Sequence, residues 1–216
     1  MRWNNLFFDL DGTITDSAPG ITNSIIYARK KWGLPCGPNS EYYRFIGPSM
    51  PQSFEDFWGF SHDDAVRFLS DYREYYAVKG LFENAVYPGV AELLDAMKNA
   101  GARLFIATTK PTHFSERIAE RFDFQKYFEL ISGIDLNDPA SNSKAAVIEY
   151  ARVTCGVDMS SAVMIGDRAH DVEGAHAHGI PCIGVTWGFG GREELQNAGA
   201  EYIVDTAEEL KALLLG

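Results

Sequence analysis

The sequence predicts an α/β protein: a doubly wound parallel sheet with an α-helical block inserted near the start of the chain. Three observations carry that reading. From residue 88 onward, short apolar runs alternate with helical segments, the pattern of strands joined by helical crossovers. Residues 17–80, by contrast, keep a helical spacing and contain no strand candidate. Polar residues collect where the apolar runs end, which is where open parallel sheets bind ligands.

The elements follow in order. Residues 3–8 make the first strand, because Leu6-Phe7-Phe8 is apolar and Asp9-Leu10-Asp11-Gly12 stops it. In the next helix Pro19 suits the first turn, and Ile21, Ile25, Ile26 and Ala28 recur at near-helical spacing. Residues 33–38 break the pattern, Pro48 and Pro51 break it again, and an amphipathic stretch covers 62–78. Helices are then expected at 90–100, 113–122, 144–153, 171–178, 193–198 and 207–215. Strands at 103–107, 128–132, 162–165, 182–185 and 202–204 alternate with them. The chain thus divides into a core of residues 1–15 and 86–216 and a helical cap of residues 16–85, inserted where it can act as a lid.

Composition narrows the partners. The 216 residues are 46% hydrophobic, enough for a packed core, and carry 19 basic against 30 acidic side chains, a net charge of −11. A surface of that sign repels a phosphate backbone, so no nucleic acid partner is expected. Cys36, Cys155 and Cys182 are widely spaced with no CxxC pair, which suggests neither a disulfide framework nor structural zinc. No early apolar run is long enough for a signal peptide or a membrane span. A cytoplasmic protein with no membrane partner is expected, as a monomer or homodimer.

Two acidic clusters stand out. Asp9 and Asp11 flank Leu10 at the end of a buried strand, where unpaired carboxylates are costly; an Asx-turn closing the strand explains them equally well in isolation. Val163-Met164-Ile165-Gly166-Asp167 is a second strand running into an acid, with Asp171 four residues on. Asp167 as a helix N-cap and Asp171 as a first-turn acid would account for that pair. A parallel sheet sets strand ends side by side, so Asp9, Asp11 and Asp167 converge. Oxygen ligands without thiolate or imidazole suit Mg²⁺. Thr108, closing the strand at 103–107, and Lys144, opening a helix, add a hydroxyl and a cation suited to an anionic ligand.

The set Asp9-Leu10-Asp11-Gly12-Thr13, Thr108, Lys144 and Gly166-Asp167…Asp171 resembles the haloacid dehalogenase superfamily of phosphatases, over the whole chain. Within it the sequence is similar to the phosphoglycolate phosphatase-like group. Tyr72-Arg73-Glu74, Gly80-Leu81-Phe82-Glu83-Asn84, Ser143-Lys144-Ala145-Ala146-Val147-Ile148 and Gly166-Asp167-Arg168-Ala169-His170-Asp171 resemble its 5′-nucleotidase-like branch. The resemblance implies a Rossmann-like core and hydrolysis of a small phosphorylated metabolite. Asp9 would be the nucleophile and form an aspartyl-phosphate, and Asp11 would serve as acid and base. Asp9, the Asp11 carbonyl and Asp167 would hold Mg²⁺, with Asp171 orienting a metal-bound water, while Thr108 and Lys144 would grip the phosphate. Thr108-Thr109-Lys110-Pro111 and Lys144-Ala145 depart from the Thr-Asn-Lys-Pro and Lys-Pro of phosphoglycolate phosphatases, which weakens phosphoglycolate as the assigned substrate; it and nucleoside 5′-monophosphates are the leading candidates.

Two rival readings share these residues: a phosphomutase relaying phosphate within a sugar, and a non-catalytic phosphate-binding protein. Gly188-Phe189-Gly190-Gly191-Arg192-Glu193 lacks the last glycine of a dinucleotide fingerprint and reads as a strand-to-helix loop. His170, His176 and His178 read as exposed or packing residues, and Tyr72, Tyr75 and Tyr76 as cap core. Phe45-Ile46-Gly47-Pro48-Ser49 is expected to be a substrate-facing loop of the cap.

Overall fold

The computed structural model describes residues 1–216, the side chain of Pro139 excepted. In chain order the elements are β1 (Asn5–Phe8), β2 (Thr15–Asp16), α1 (Ala18–Lys31), α2 (Met50–Trp58), α3 (His62–Tyr76), β3 (Ala85–Val86), α4 (Val90–Asn99) and β4 (Arg103–Pro111). They continue with α5 (Thr112–Arg121), β5 (Leu130–Ile134), α6 (Lys144–Cys155), β6 (Ala162–Gly166) and α7 (Ala169–Ala177). The last are β7 (Cys182–Val185), α8 (Gly191–Ala198), β8 (Tyr202–Val204) and α9 (Ala207–Leu215). Two compact units result, Met1–Thr15 with Val86–Gly216, and Asp16–Ala85.

The larger unit holds a six-stranded sheet in the order β5-β4-β1-β6-β7-β8, every pairing parallel. The chain winds outward from β1 through β4 and β5, then restarts at β6 on the other side of β1. That restart makes the β1–β6 seam the point where strand order reverses, and ligand crevices open there at the carboxyl ends of the strands. Phe8 pairs with Ile106 of β4 and Ile165 of β6. All four residues of β1 are buried, as both neighbours and both faces require of a central parallel strand. Phe7 stacks on Phe105 at 5.1 Å, and Val147, Ile148, Met164, Val172 and Leu195 close the core around them.

Capping follows local chemistry. Ser143 Oγ accepts the Ala146 N–H at 3.1 Å ahead of α6, and Gly156 ends that helix in the left-handed region at φ 59°. In the smaller unit α1 packs against α3. Phe45, Phe54, Trp58 and Phe68 form an aromatic core there, with Phe45 and Trp58 at 4.5 Å and Arg29 lying 4.6 Å over Trp58. Tyr72 and Tyr76 are buried and stacked at 5.3 Å.

Three local expectations change. β4 runs to Pro111 rather than stopping before Thr108, its register shifting between Ala107 and Pro111. β2 and β3, two residues each, pair with one another and are too short to leave a sequence period. The N-cap of α7 is Arg168, not Asp167: Asp171 Oδ2 accepts the Arg168 N–H at 3.0 Å, so the acid three residues on serves the cap. No helix among the described residues is long and apolar enough to cross a membrane.

Candidate active site

The site lies at the carboxyl end of the β1–β6 seam. Beyond β1 the Asp9 N–H still donates to the Ile165 carbonyl at 2.9 Å, so its side chain starts from the sheet and not from a loose loop. The chain then turns tightly. Ile14 and Thr15 N–H groups both donate to the Leu10 carbonyl at 3.0 Å, and Gly12 N–H to the Thr15 carbonyl at 2.8 Å. Gly12 has φ +84°, and a Cβ there would stand 2.2 Å from Asp167 Oδ2. Only glycine allows that conformation and that approach.

Asp167 follows β6 and is fully buried. Its Oδ2 accepts the Phe189 N–H at 2.7 Å, and its Oδ1 the Thr13 hydroxyl at a long 3.5 Å. A Cβ on Gly188 would come within 2.3 Å of the same carboxylate. The glycine-rich segment after β7 is therefore part of the site, a role carried by a backbone amide that sequence patterning does not register. Trp187 Nε1 ties this loop to the Thr13 carbonyl at 3.1 Å.

Lys144, first residue of α6, reaches into the same volume. Its Nζ lies 2.8 Å from Asp9 Oδ1 and 2.8 Å from Asp171 Oδ1, and donates to the Ala107 carbonyl at 2.8 Å. At that distance the ammonium serves both carboxylates through hydrogen bonding and charge together. Thr108, next along β4, is buried, and its Oγ1 accepts the Lys110 N–H at 3.3 Å. Lys110, which patterning did not single out, places its Nζ 2.6 Å from Asp11 Oδ2.

Charge dominates the local physics. Burial raises the Asp9 carboxyl above its usual range, with Lys144 pulling the other way. Burial, Asp171 and Asp9 together push Asp167 well above it. Burial is the largest influence on Asp171 and acts to raise it, but Lys144, His170 and the Arg168 N–H together outweigh it and the net shift is downward. Burial disfavours the Lys144 ammonium, yet Asp171 and Asp9 raise it to about 12. Fully ionised, four carboxylates face two ammoniums, two negative charges in excess. Asp11 Oδ1 is buried without a hydrogen-bond partner, and Asp9 Oδ1 and Asp171 Oδ1 share the single Lys144 ammonium. Hard oxygen atoms with a surplus of two negative charges fit a divalent cation of the Mg²⁺ type.

His170 departs from the sequence expectation. Its Nε2 is buried without a hydrogen-bond partner, 3.8 Å from Asp171 Oδ1, and one ligand atom each of Asp9, His170 and Asp171 fall within 4.8 Å of one another. Burial holds the imidazole below its usual range, hence neutral near pH 7, with Asp171 opposing. His176 and His178 instead bind Glu201 at 3.0 Å and the Ala145 carbonyl at 2.8 Å, away from the carboxylates.

Comparison with known proteins gives the family. A family model described as haloacid dehalogenase-like hydrolase matches residues 6–185. Over 91% of the chain and 88% of the relative, the sequence is 39% identical to a 5′-nucleotidase of Pseudomonas aeruginosa. It is 34% identical to the tyrosine-protein kinase PtkA of Mycobacterium tuberculosis, over 97% of the chain and 72% of that protein. It is 30% identical to a phosphoglycolate phosphatase of Caulobacter vibrioides, over 91% and 84%. A crystal structure of a predicted phosphatase from Clostridium acetobutylicum superposes with a TM-score of 0.95 at 43% identity, covering 100% of this chain and 99% of that one.

Proposed function

The chain belongs to the haloacid dehalogenase-like hydrolases and is a phosphatase, and we propose that it hydrolyses small phosphomonoesters through an aspartyl-phosphate on Asp9 with Mg²⁺ as cofactor. The observation that carries this reading is the Asp9 carboxylate at the end of β1, within 2.8 Å of the buried Lys144 ammonium. A nucleophile must be ionised to attack phosphorus, and the Lys144 charge works for that form against burial.

Asp9, the Asp11 carbonyl and Asp167 would hold the cation, with Asp171 beside it. When bound it would supply positive charge that offsets repulsion between the Asp9 carboxylate and a phosphate dianion. The protein's own groups do the rest. Asp9 attacks phosphorus in line with the leaving oxygen. Asp11 gives that oxygen a proton and later takes one from water. Thr108 and Lys144 hold the phosphoryl oxygens in place. The Phe189 N–H keeps Asp167 in one orientation.

Nucleoside 5′-monophosphates and phosphoglycolate are the substrates that relatives' names support. Acid-quenched mass spectrometry after incubation with p-nitrophenyl phosphate tests the chemistry. A phosphate adduct on the Asp9 peptide, absent in Asp9→Asn, is expected; an adduct on another residue, or turnover by Asp9→Asn, overturns it. A panel of both substrates and sugar 1-phosphates, read for free phosphate against isomer, ranks the substrates and separates hydrolase from mutase.

A further inference from the structure

Lys110 stands outside the residues that patterning marked, yet its ammonium makes one of the most buried ion pairs in the molecule. Its Nζ is 2.6 Å from Asp11 Oδ2, with side chains only 6% and 9% exposed. The lysine arrives there because β4 continues past Thr108 after its register shift, with Lys110 N–H anchored on Thr108 Oγ1. Asp11 is thus held at Oδ2 alone. Its other oxygen, Oδ1, is buried with no hydrogen-bond partner.

That asymmetry has a chemical use. A buried ion pair is a weak stabilising device, because desolvation offsets most of the attraction. Clamping one carboxylate oxygen, however, removes side-chain freedom and dictates which oxygen faces the reaction. We propose that Lys110 is a positioning residue for Asp11, fixing Oδ2 so that Oδ1 exchanges protons with the leaving group and with water. The inference rests on the aspartyl-phosphate reading. In the first half-reaction the Asp9 oxygen–phosphorus bond forms, the bond from phosphorus to the leaving oxygen breaks, and the Oδ1 proton moves to that oxygen. In the second, water attacks phosphorus, the Asp9 oxygen–phosphorus bond breaks, and Oδ1 takes the water proton.

Leaving groups separate this role from phosphate binding or simple packing. p-Nitrophenolate departs with little need of a proton, whereas an alkoxide such as that of phosphoglycolate or adenosine 5′-monophosphate needs one. Lys110→Met is expected to lower kcat on the two alkyl phosphates at least about tenfold more than on p-nitrophenyl phosphate, with KM changed less than about threefold. Asp11→Asn is expected to give the same selective loss, the double variant to be no worse than Asp11→Asn, and Lys110→Arg to recover most of the lost rate. Lys110→Gln, with its thermal unfolding measured alongside, reads the same ratio should Lys110→Met fold poorly. Equal losses on both leaving groups, or a loss confined to KM, overturn the positioning role. Failure of the underlying chemistry looks different: the wild type itself would then leave no phosphate on Asp9, and both readings would fall.

Discussion

Replacing Lys144 by methionine removes one charge from a site that has too few of its sign. The ammonium sits 2.8 Å from each of two buried carboxylate oxygens. At an effective dielectric constant near 20, each contact is worth about 6 kcal/mol before desolvation. Desolvation of the three groups, several kcal/mol per ion, offsets most of that sum, so the intact cluster adds little net stability. Breaking it is another matter, because Asp9 and Asp171 stay buried without compensation. Removing one partner of a buried pair typically costs about 3–5 kcal/mol. For a chain of this length that corresponds to a Tm lowered by about 6–20 °C.

The pH dependence supplies the sign. In the wild type Asp171 is held below its usual range, so its contribution is present above the unfolded value and lost only as pH falls through the lower folded one. Without Lys144, the largest opponent of burial at Asp9 and Asp171 is gone and both carboxyls rise. Protonation then relieves the variant more than the wild type, in which Lys144 holds Asp171 ionised. The Tm gap between the two, measured by scanning calorimetry without metal, is expected to narrow from pH 7.5 to pH 5. A gap below about 2 °C at pH 7.5, or one that widens on acidification, would refute the electrostatic account of this cluster.

Further predictions concern the metal and the turn. Asp167→Asn keeps the Phe189 contact but deletes a carboxylate whose raised folded value penalises folding increasingly as pH climbs above 3.8. Its metal-free Tm is expected to exceed that of the wild type by a margin that grows with pH, and its Mg²⁺-induced Tm shift to vanish; a shift equal to the wild type's would remove Asp167 from the cation site. Chelation with EDTA is expected to abolish p-nitrophenyl phosphate turnover and added Mg²⁺ to restore it, measured by release of p-nitrophenol. Gly12→Ala forces a side chain into a positive φ and against Asp167. It is expected to cost about 1–3 kcal/mol in chemical denaturation and to weaken the Mg²⁺ response.

Legibility followed chemistry. Asp9, Asp11 and Asp167 could be read because each interrupts an apolar strand, and buried apolar runs that end in acid are costly without a reason. The parallel sheet was readable from the alternation of strand and helix, and strands 182–185 and 202–204 coincide with β7 and β8. What escaped the sequence depends on geometry without a residue signature. Phe189 acts through its amide, which every residue but proline carries. Lys110 meets Asp11 only because a register irregularity carries β4 onward, and such shifts leave no period to detect. His170 reads as an exposed or packing residue because no matching Cys or His ligands surround it in the sequence; burial at the start of α7 instead turns its Nε2 to within 3.8 Å of Asp171 Oδ1.

The position of β1 bears on how the chain reaches this arrangement. Asn-Leu-Phe-Phe is synthesised before either of its hydrogen-bonding partners, Arg103–Ile106 and Ala162–Ile165. The segment therefore keeps one edge open until 103–106 are made and the other until 162–165 are made, the condition under which long-range parallel pairing is slow and aggregation competes. The strand that ends at Asp9 precedes both of its partners and is closed on its second side only by β6. Destabilising substitutions in Ala162–Ile165 should therefore lower soluble yield before they affect turnover per folded molecule.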